Sequence, residues 1–140
     1  MTTPTRERST RFSTLFSTLV GLTSLAILLQ AVWAGIFIRQ GGAYDGFWVT
    51  VHARGAEVAL ALALGAAVVA FLRLRERRDL VVGSATFVVL LALEAFIGGE
   101  VYDHPGLQVV HFPLALTLMA LAVWLPLRLR TLSLPPPPRR

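Results

Sequence analysis

The chain has 140 residues, of which 55% are hydrophobic, and it contains 13 arginines but no lysine and no cysteine. Without cysteine, disulfide bonds, thiolate metal ligands and cysteine-attached cofactors are excluded. The net charge of +5 alone would fit a nucleic-acid partner. However, the arginines concentrate at the ends of apolar segments, where membrane topology explains them, so no nucleic acid is expected.

Four apolar runs follow one another along the chain, at residues 12–38, 48–72, 80–98 and 107–127. Each is near or above the ~18 to 20 residues that cross a hydrocarbon core. In a lipid bilayer all backbone polar groups need internal partners, and no alternating barrel pattern is present. The sequence therefore predicts an all-α integral membrane four-helix bundle over residues 12–130, with connections too short for a soluble domain.

The arginines are distributed unevenly between the two sides of the predicted bundle. Three precede the first run, four lie between the second and third, and four follow the last; only Arg39 and Arg54 lie on the other side. The positive-inside rule then places residues 1–11 and the Pro/Arg-rich tail 131–140 in the cytoplasm. The first run is too long and too late for a cleaved signal peptide. We expect a multi-pass protein of a bacterial plasma membrane, since arginine without lysine is typical of a GC-rich bacterial genome.

The two halves of the chain resemble each other. His52 and His111 each lie a few residues into the second arm of a predicted hairpin, after similar connectors at residues 41–45 and 98–103. Gln30 and Glu94 correspond in the first arms. These matches predict two repeated transmembrane hairpins, related by a pseudo-two-fold axis along the membrane normal. That symmetry would place the two imidazoles at one depth, facing each other across the bundle.

Paired imidazoles at equal depth in a helix bundle suit the iron of one haem b, held without a covalent bond. Two axial histidines leave no open position for oxygen, so electron transfer is the expected role. Glu94 needs a reason to lie in a span, because a charged side chain there costs about 2.5 to 3.5 kcal/mol. Glu94 and Gln30 are interpreted as hydrogen-bond partners of the histidines. Arg54 is predicted to contact a haem propionate, or else to pair with Glu57.

Three segments carry a resemblance to known proteins: Gln30-Ala31-Val32-Trp33-Ala34-Gly35, His52-Ala53-Arg54-Gly55 and Val110-His111-Phe112-Pro113-Leu114-Ala115. Over residues 20–127 the chain resembles a family of small, largely uncharacterised bacterial four-helix membrane proteins. It is more distantly similar to one four-helix half of haem A synthase. The resemblance implies a histidine pair on the second and fourth helices, at His52 and His111. That enzyme has a glutamate three residues before the histidine and an arginine directly after it, whereas Val49 and Ala53 stand here. The resemblance thus implies the haem-binding scaffold and not haem hydroxylation.

Other functions stay open at this point. A non-catalytic accessory or structural subunit of a larger respiratory or photosynthetic complex fits the small size and the Ala-rich second run. A zinc or copper site would use His52, His111, an acidic residue and His104 folded back from its connector. A transporter would require an oligomer. For the haem hypothesis, electrons would come from a quinone or a partner subunit.

Overall fold

The computed structural model describes residues 4–39 and 46–131. These residues form helices α1 (Pro4–Arg39), α2 (Phe47–Arg73), α3 (Arg78–Glu100) and α4 (Gln108–Thr131), with a 3-10 turn at Pro105–Leu107. No strand occurs in these ranges, so the predicted all-α class is confirmed. The connector at residues 41–45 and all of the predicted tail beyond residue 131 lie outside the described residues.

All four helices are long and apolar enough to cross a membrane. The candidate spans are Thr10–Ile38, Phe47–Arg73, Arg78–Glu100 and Pro105–Arg130. Their outward faces carry large apolar side chains that would be unusual on a water-exposed surface, among them Val109 at 79% exposure and Leu116 at 74%. Both properties fit a lipid environment.

The helices form a four-membered ring in chain order. Within the described residues, α1 and α3 each contact α2 and α4, while the diagonal pairs α1–α3 and α2–α4 make no contact. Antiparallel neighbours joined by short loops produce this arrangement. His52 on α2 and His111 on α4 therefore lie on diagonally opposite helices. We call the end of the bundle that carries them the histidine end, and the opposite end the arginine end.

The core is packed toward the arginine end. The small-residue stripe of α2 is buried there, with Ala59, Ala63 and Ala70 fully enclosed. Small side chains allow neighbouring backbones to approach closely, which is how helices associate in lipid. The stripe packs in one cluster with large side chains of the other helices, including Phe16 and Phe87.

Toward the histidine end this packing stops. The last buried residue of α1 is Ile27, the first of α2 is Ala59, and the first of α4 is Leu118. Only α3 continues to carry buried residues, Glu94 among them. The side chains between these levels and the histidine end line open space, and the candidate site lies there.

Polar contacts join the helices at the arginine end. Asp79, at the start of α3, accepts hydrogen bonds from Arg77 at 3.1 Å and from Arg128 of α4 at 3.0 Å. Arg77 also donates to the backbone carbonyl of Arg128 at 2.9 Å. Arg73 lies over the ring of Phe12, 4.7 Å from its centroid. These contacts join α2 to α1, and they join the α2–α3 connection and the start of α3 to α4.

Candidate functional site

In the first hairpin, His52 is held by Gln30 of the neighbouring helix. Nδ1 of His52 lies 3.1 Å from the backbone carbonyl oxygen of Gln30. With its amide nitrogen toward α2, the Gln30 side chain donates to the carbonyl oxygen of His52 at 2.7 Å and accepts from the N–H of Ala56 at 3.2 Å. The same amide nitrogen lies 3.1 Å from Nδ1, so the tautomer decides whether Nδ1 donates to the carbonyl or accepts from the amide.

In the second hairpin, His111 lies against Glu94. Nδ1 of His111 is 3.0 Å from Oε1 of Glu94, and both side chains are largely buried. The contact is not aligned as a hydrogen bond, and both Nδ1 and the second carboxylate oxygen, Oε2, are buried without a hydrogen-bond partner. A buried polar group without a partner costs free energy. A small rotation of either side chain would align Nδ1 and Oε1, and Oε2 would still need a partner.

Gly98 makes room for the His111 ring. A Cβ atom at this position would lie 2.9 Å from Cε1 of His111 and 3.5 Å from Nδ1. Gly98 is one turn after Glu94 on the same face of α3. The imidazole therefore lies across α3, over the glycine and beside the carboxyl group.

In both hairpins, a residue of the first helix lies beside the histidine of the second helix. In each hairpin the first helix supplies the group beside Nδ1 of the histidine on the second helix, Gln30 for His52 and Glu94 for His111. Neither Nε2 atom has a hydrogen-bond partner among the described residues. Four of the five residues predicted for the site are thus brought together, in two pairs.

Both histidines line the same open space. A cavity of about 1020 Å³ extends between α2 and α3, and a second of about 550 Å³ lies between α1 and α4. His52 and His111 line both cavities. These volumes match cofactor and ligand pockets, which range over ~300–1,000 Å³, and far exceed the voids of a packed core.

Small residues of α1 and α3 line the cavities. They lie one, four and five residues after Gln30 and after Glu94: Ala31, Ala34 and Gly35 in α1, and Ala95, Gly98 and Gly99 in α3, of which Ala34 and Ala95 line both cavities. The histidines lie on α2 and α4, one diagonal of the bundle, and these small residues lie on α1 and α3, the other diagonal. The space between the two imidazoles therefore extends toward α1 and α3.

Aromatic side chains pack near His52. The rings of Phe37 and His52 form an edge-to-face contact, with the ring centroids 5.5 Å apart and the planes at 81°. Trp33 and the Gln30 side chain pack directly on Gly55, where a Cβ atom would collide with both. Phe37 and Gly98 were not among the residues predicted for the site. Phe37 lies two turns after Gln30 on the same helical face, and this spacing was the available signal.

Arg54 lies away from the other predicted site residues. Its Nη1 is 2.8 Å from Oε1 of Glu57, and the two side chains are 73% and 64% exposed. Glu57 lines the larger cavity, whereas Arg54 lines neither. Of the two roles considered for Arg54, the structure contains the ion pair with Glu57.

His104 is also separate from the site. Its side chain is 68% exposed and lies 4.0 Å from a carboxylate oxygen of Glu100. In the described parts of the chain, no group of three or more His, Cys, Asp or Glu side chains is placed to hold a metal ion. A zinc or copper site of three or four protein ligands is therefore not formed by these residues.

Comparisons of the chain with protein-family models, curated proteins and solved structures find no match.

Proposed function

We propose that the protein binds one b-type haem between α2 and α4, with His52 and His111 as the axial ligands, and that it transfers electrons within a membrane. The observation that carries the proposal is the matched pair of histidines on diagonal helices. Each has its Nδ1 beside a group of the neighbouring helix, at 3.1 Å for His52 and 3.0 Å for His111. Both face one cavity.

The donor set fits a haem iron. Histidines that bind metals usually donate the second ring N–H to a carbonyl or carboxylate, which sets the tautomer and the ring orientation. Gln30 offers a carbonyl and Glu94 a carboxylate at the required nitrogen. Coordination through Nε2 would select the tautomer in which Nδ1 of His52 donates to Gln30. It would also supply His111 with an Nδ1–H for Glu94.

The shape of the site also supports a flat macrocycle. The alanine and glycine residues of α1 and α3 would leave room for its edges, beside larger lining residues such as Phe37 and Val101. The walls are otherwise mostly apolar, and a hydrophobic surrounding shields such a group from water. Since the chain has no cysteine, the group would be held only by coordination and packing.

When bound, such a haem supplies reversible one-electron chemistry, with two axial ligands leaving no position for oxygen. The residues of the chain hold and orient the ligands. Gln30 holds His52 against α1, Glu94 and Gly98 set the position of His111, and the Phe37 ring packs against His52. A propionate contact from Arg54 requires Arg54 to exchange Glu57 for the propionate.

The arrangement further supports a repeat of two hairpins, α1–α2 and α3–α4, related by a pseudo-two-fold axis along the bundle. The equivalent contacts of His52 and His111 follow from such a repeat. From this arrangement and the arginine distribution, we propose that both termini lie in the cytoplasm of a bacterial cell and that the histidines lie toward the outer face. A quinone or a partner subunit would then exchange electrons at the histidine end.

The experiment is a dithionite-reduced minus oxidised absorption spectrum of the detergent-purified protein. A sharp low-spin b-type band is expected in the parent protein and absent in His52→Ala and His111→Ala. His104→Ala is the matched control, because this exposed histidine lies outside both cavities. Helical circular dichroism and size-exclusion profiles equal to the parent's would show that the variants still fold.

A featureless spectrum at stoichiometric haem and protein would contradict the proposal. So would an unchanged band in either ligand variant. The accessory-subunit hypothesis would then become the better explanation of the bundle.

A further inference from the structure

An apolar groove lies on the outer surface of the bundle at the arginine end, far from the histidine cavities. It has a volume of about 340 Å³ and runs between the last turns of α2 and the first turns of α3. Its lining residues are all apolar: Ala67, Val68, Phe71, Leu72, Val81 and Ala85. Phe71 and Leu72 are 66% and 59% exposed, so the groove faces outward, where the acyl chains of a bilayer would be.

The α2–α3 connection places arginines at the end of this groove. Arg73 is engaged by Phe12 and Arg77 by Asp79. Arg75, in the connection, and Arg78, one turn before Val81 of the groove, are both exposed and make no ion pair with the described residues. Residues 73–79 contain four arginines and two acidic residues, Asp79 and the exposed Glu76, so a net positive charge lies beside an apolar groove.

We propose that this surface binds an anionic phospholipid, with the phosphate of its headgroup at Arg75 and Arg78 and one acyl chain in the groove. Guanidinium groups bind phosphate oxygens with two parallel hydrogen bonds, and basic sites next to transmembrane helices select anionic lipids. A second copy of the chain is disfavoured as the occupant, because a symmetric contact through this face would bring like charges together. The inference does not depend on haem binding.

The experiment is native mass spectrometry of the full chain in detergent, titrated with phosphatidylglycerol or with phosphatidylcholine of identical acyl chains. We expect the parent protein to retain phosphatidylglycerol preferentially. The Arg75→Gln/Arg78→Gln variant should lose about fivefold in phosphatidylglycerol affinity for each arginine, about 25-fold in total. Arg54→Gln, which removes one exposed arginine at the histidine end, is the control and should retain the parent's preference.

A second variant tests the groove. Ala85→Phe places a bulky side chain in the groove and should reduce the affinity for both lipids without changing the preference between them. Three results would overturn the proposal: equal retention of the two lipids by the parent, an equal loss of preference in Arg54→Gln, or a stable dimer that releases phosphatidylglycerol when it forms. The haem spectrum of the Arg75→Gln/Arg78→Gln variant should equal the parent's, which keeps this test separate from that of the haem site.

Discussion

Substitution of Gly98 by alanine tests the most specific contact of the proposed haem site. The new methyl group would lie 2.9 Å from Cε1 of His111 and 3.6 Å from Nε2, the atom proposed to coordinate iron. Ordinary carbon–carbon contacts are ~3.5–4.0 Å, so the ring must move by roughly half an ångström or more. Movement away from Gly98 changes the Nδ1 contact with Glu94, and the methyl group also occupies space beside the coordinating nitrogen.

The expected cost follows from this overlap. Adding a methyl group to a packed contact costs about 1–3 kcal/mol, which corresponds to about a 5- to 150-fold loss of haem affinity. The stability of the apoprotein should change less, because alanine in place of glycine favours a helix by about 1 kcal/mol. The assay is a haem titration of the detergent-purified apoprotein followed by absorbance, with thermal unfolding measured in parallel.

Gly21→Ala is the matched control. Gly21 also lies inside a helix, α1, but it lines neither cavity, and no atom lies within 4 Å of a Cβ atom placed there. It should bind haem like the parent protein and unfold at an equal or higher temperature. Equal haem affinity of the two alanine variants would refute the placement of His111 against Gly98.

Three further predictions concern other parts of the molecule. Glu94→Gln should weaken haem binding by about 10- to 100-fold. It should also raise the reduction potential of the haem, because a negative charge beside His111 favours the oxidised iron. An unchanged potential in a redox titration would show that Glu94 does not act on the His111 ligand. Ala63→Leu should destabilise the bundle by about 1–3 kcal/mol in chemical unfolding, since Ala63 is fully buried, whereas Leu at the exposed Ala61 should be neutral. Asp79→Asn, which weakens the contacts with two arginines, should cost about 0.2–1 kcal/mol for each pair and leave the haem spectrum unchanged; a changed spectrum would contradict the separation of the two ends.

The two histidines differ in one respect that matters for the proposed electron transfer. His52 lies beside a neutral carbonyl, and His111 lies beside the carboxyl group of Glu94, a residue that is 7% exposed. Hydrogen bonding of an axial histidine to a carboxylate increases the electron donation of its ring to the metal. Glu94→Gln should therefore change the reduction potential of the haem more than any substitution of Gln30 that keeps the backbone carbonyl in place. Redox titrations of the two variants measure the difference.

The sequence by itself determined the all-helical class and the number of apolar segments. Runs of about 20 apolar residues leave a chain no other way to satisfy its backbone in lipid, and each run corresponds to a helix of the structure. The spacing of Gln30 and His52 and of Glu94 and His111 also predicted from the sequence that Gln30 and Glu94 are partners of the histidines, and both lie beside them in the structure.

Only the tertiary structure decided how these side chains meet. In the structure, α2 and α4 lie on one diagonal. Glu94 lies beside His111, and the carbonyl of Gln30 lies beside His52. Arg54 pairs with Glu57 and does not line the cavity. Such choices depend on helix rotation and on the order of helices around the bundle. Both are set by close packing of small residues such as Ala63 and Gly98, and a hydropathy pattern does not specify them because nearly every face of these helices is apolar.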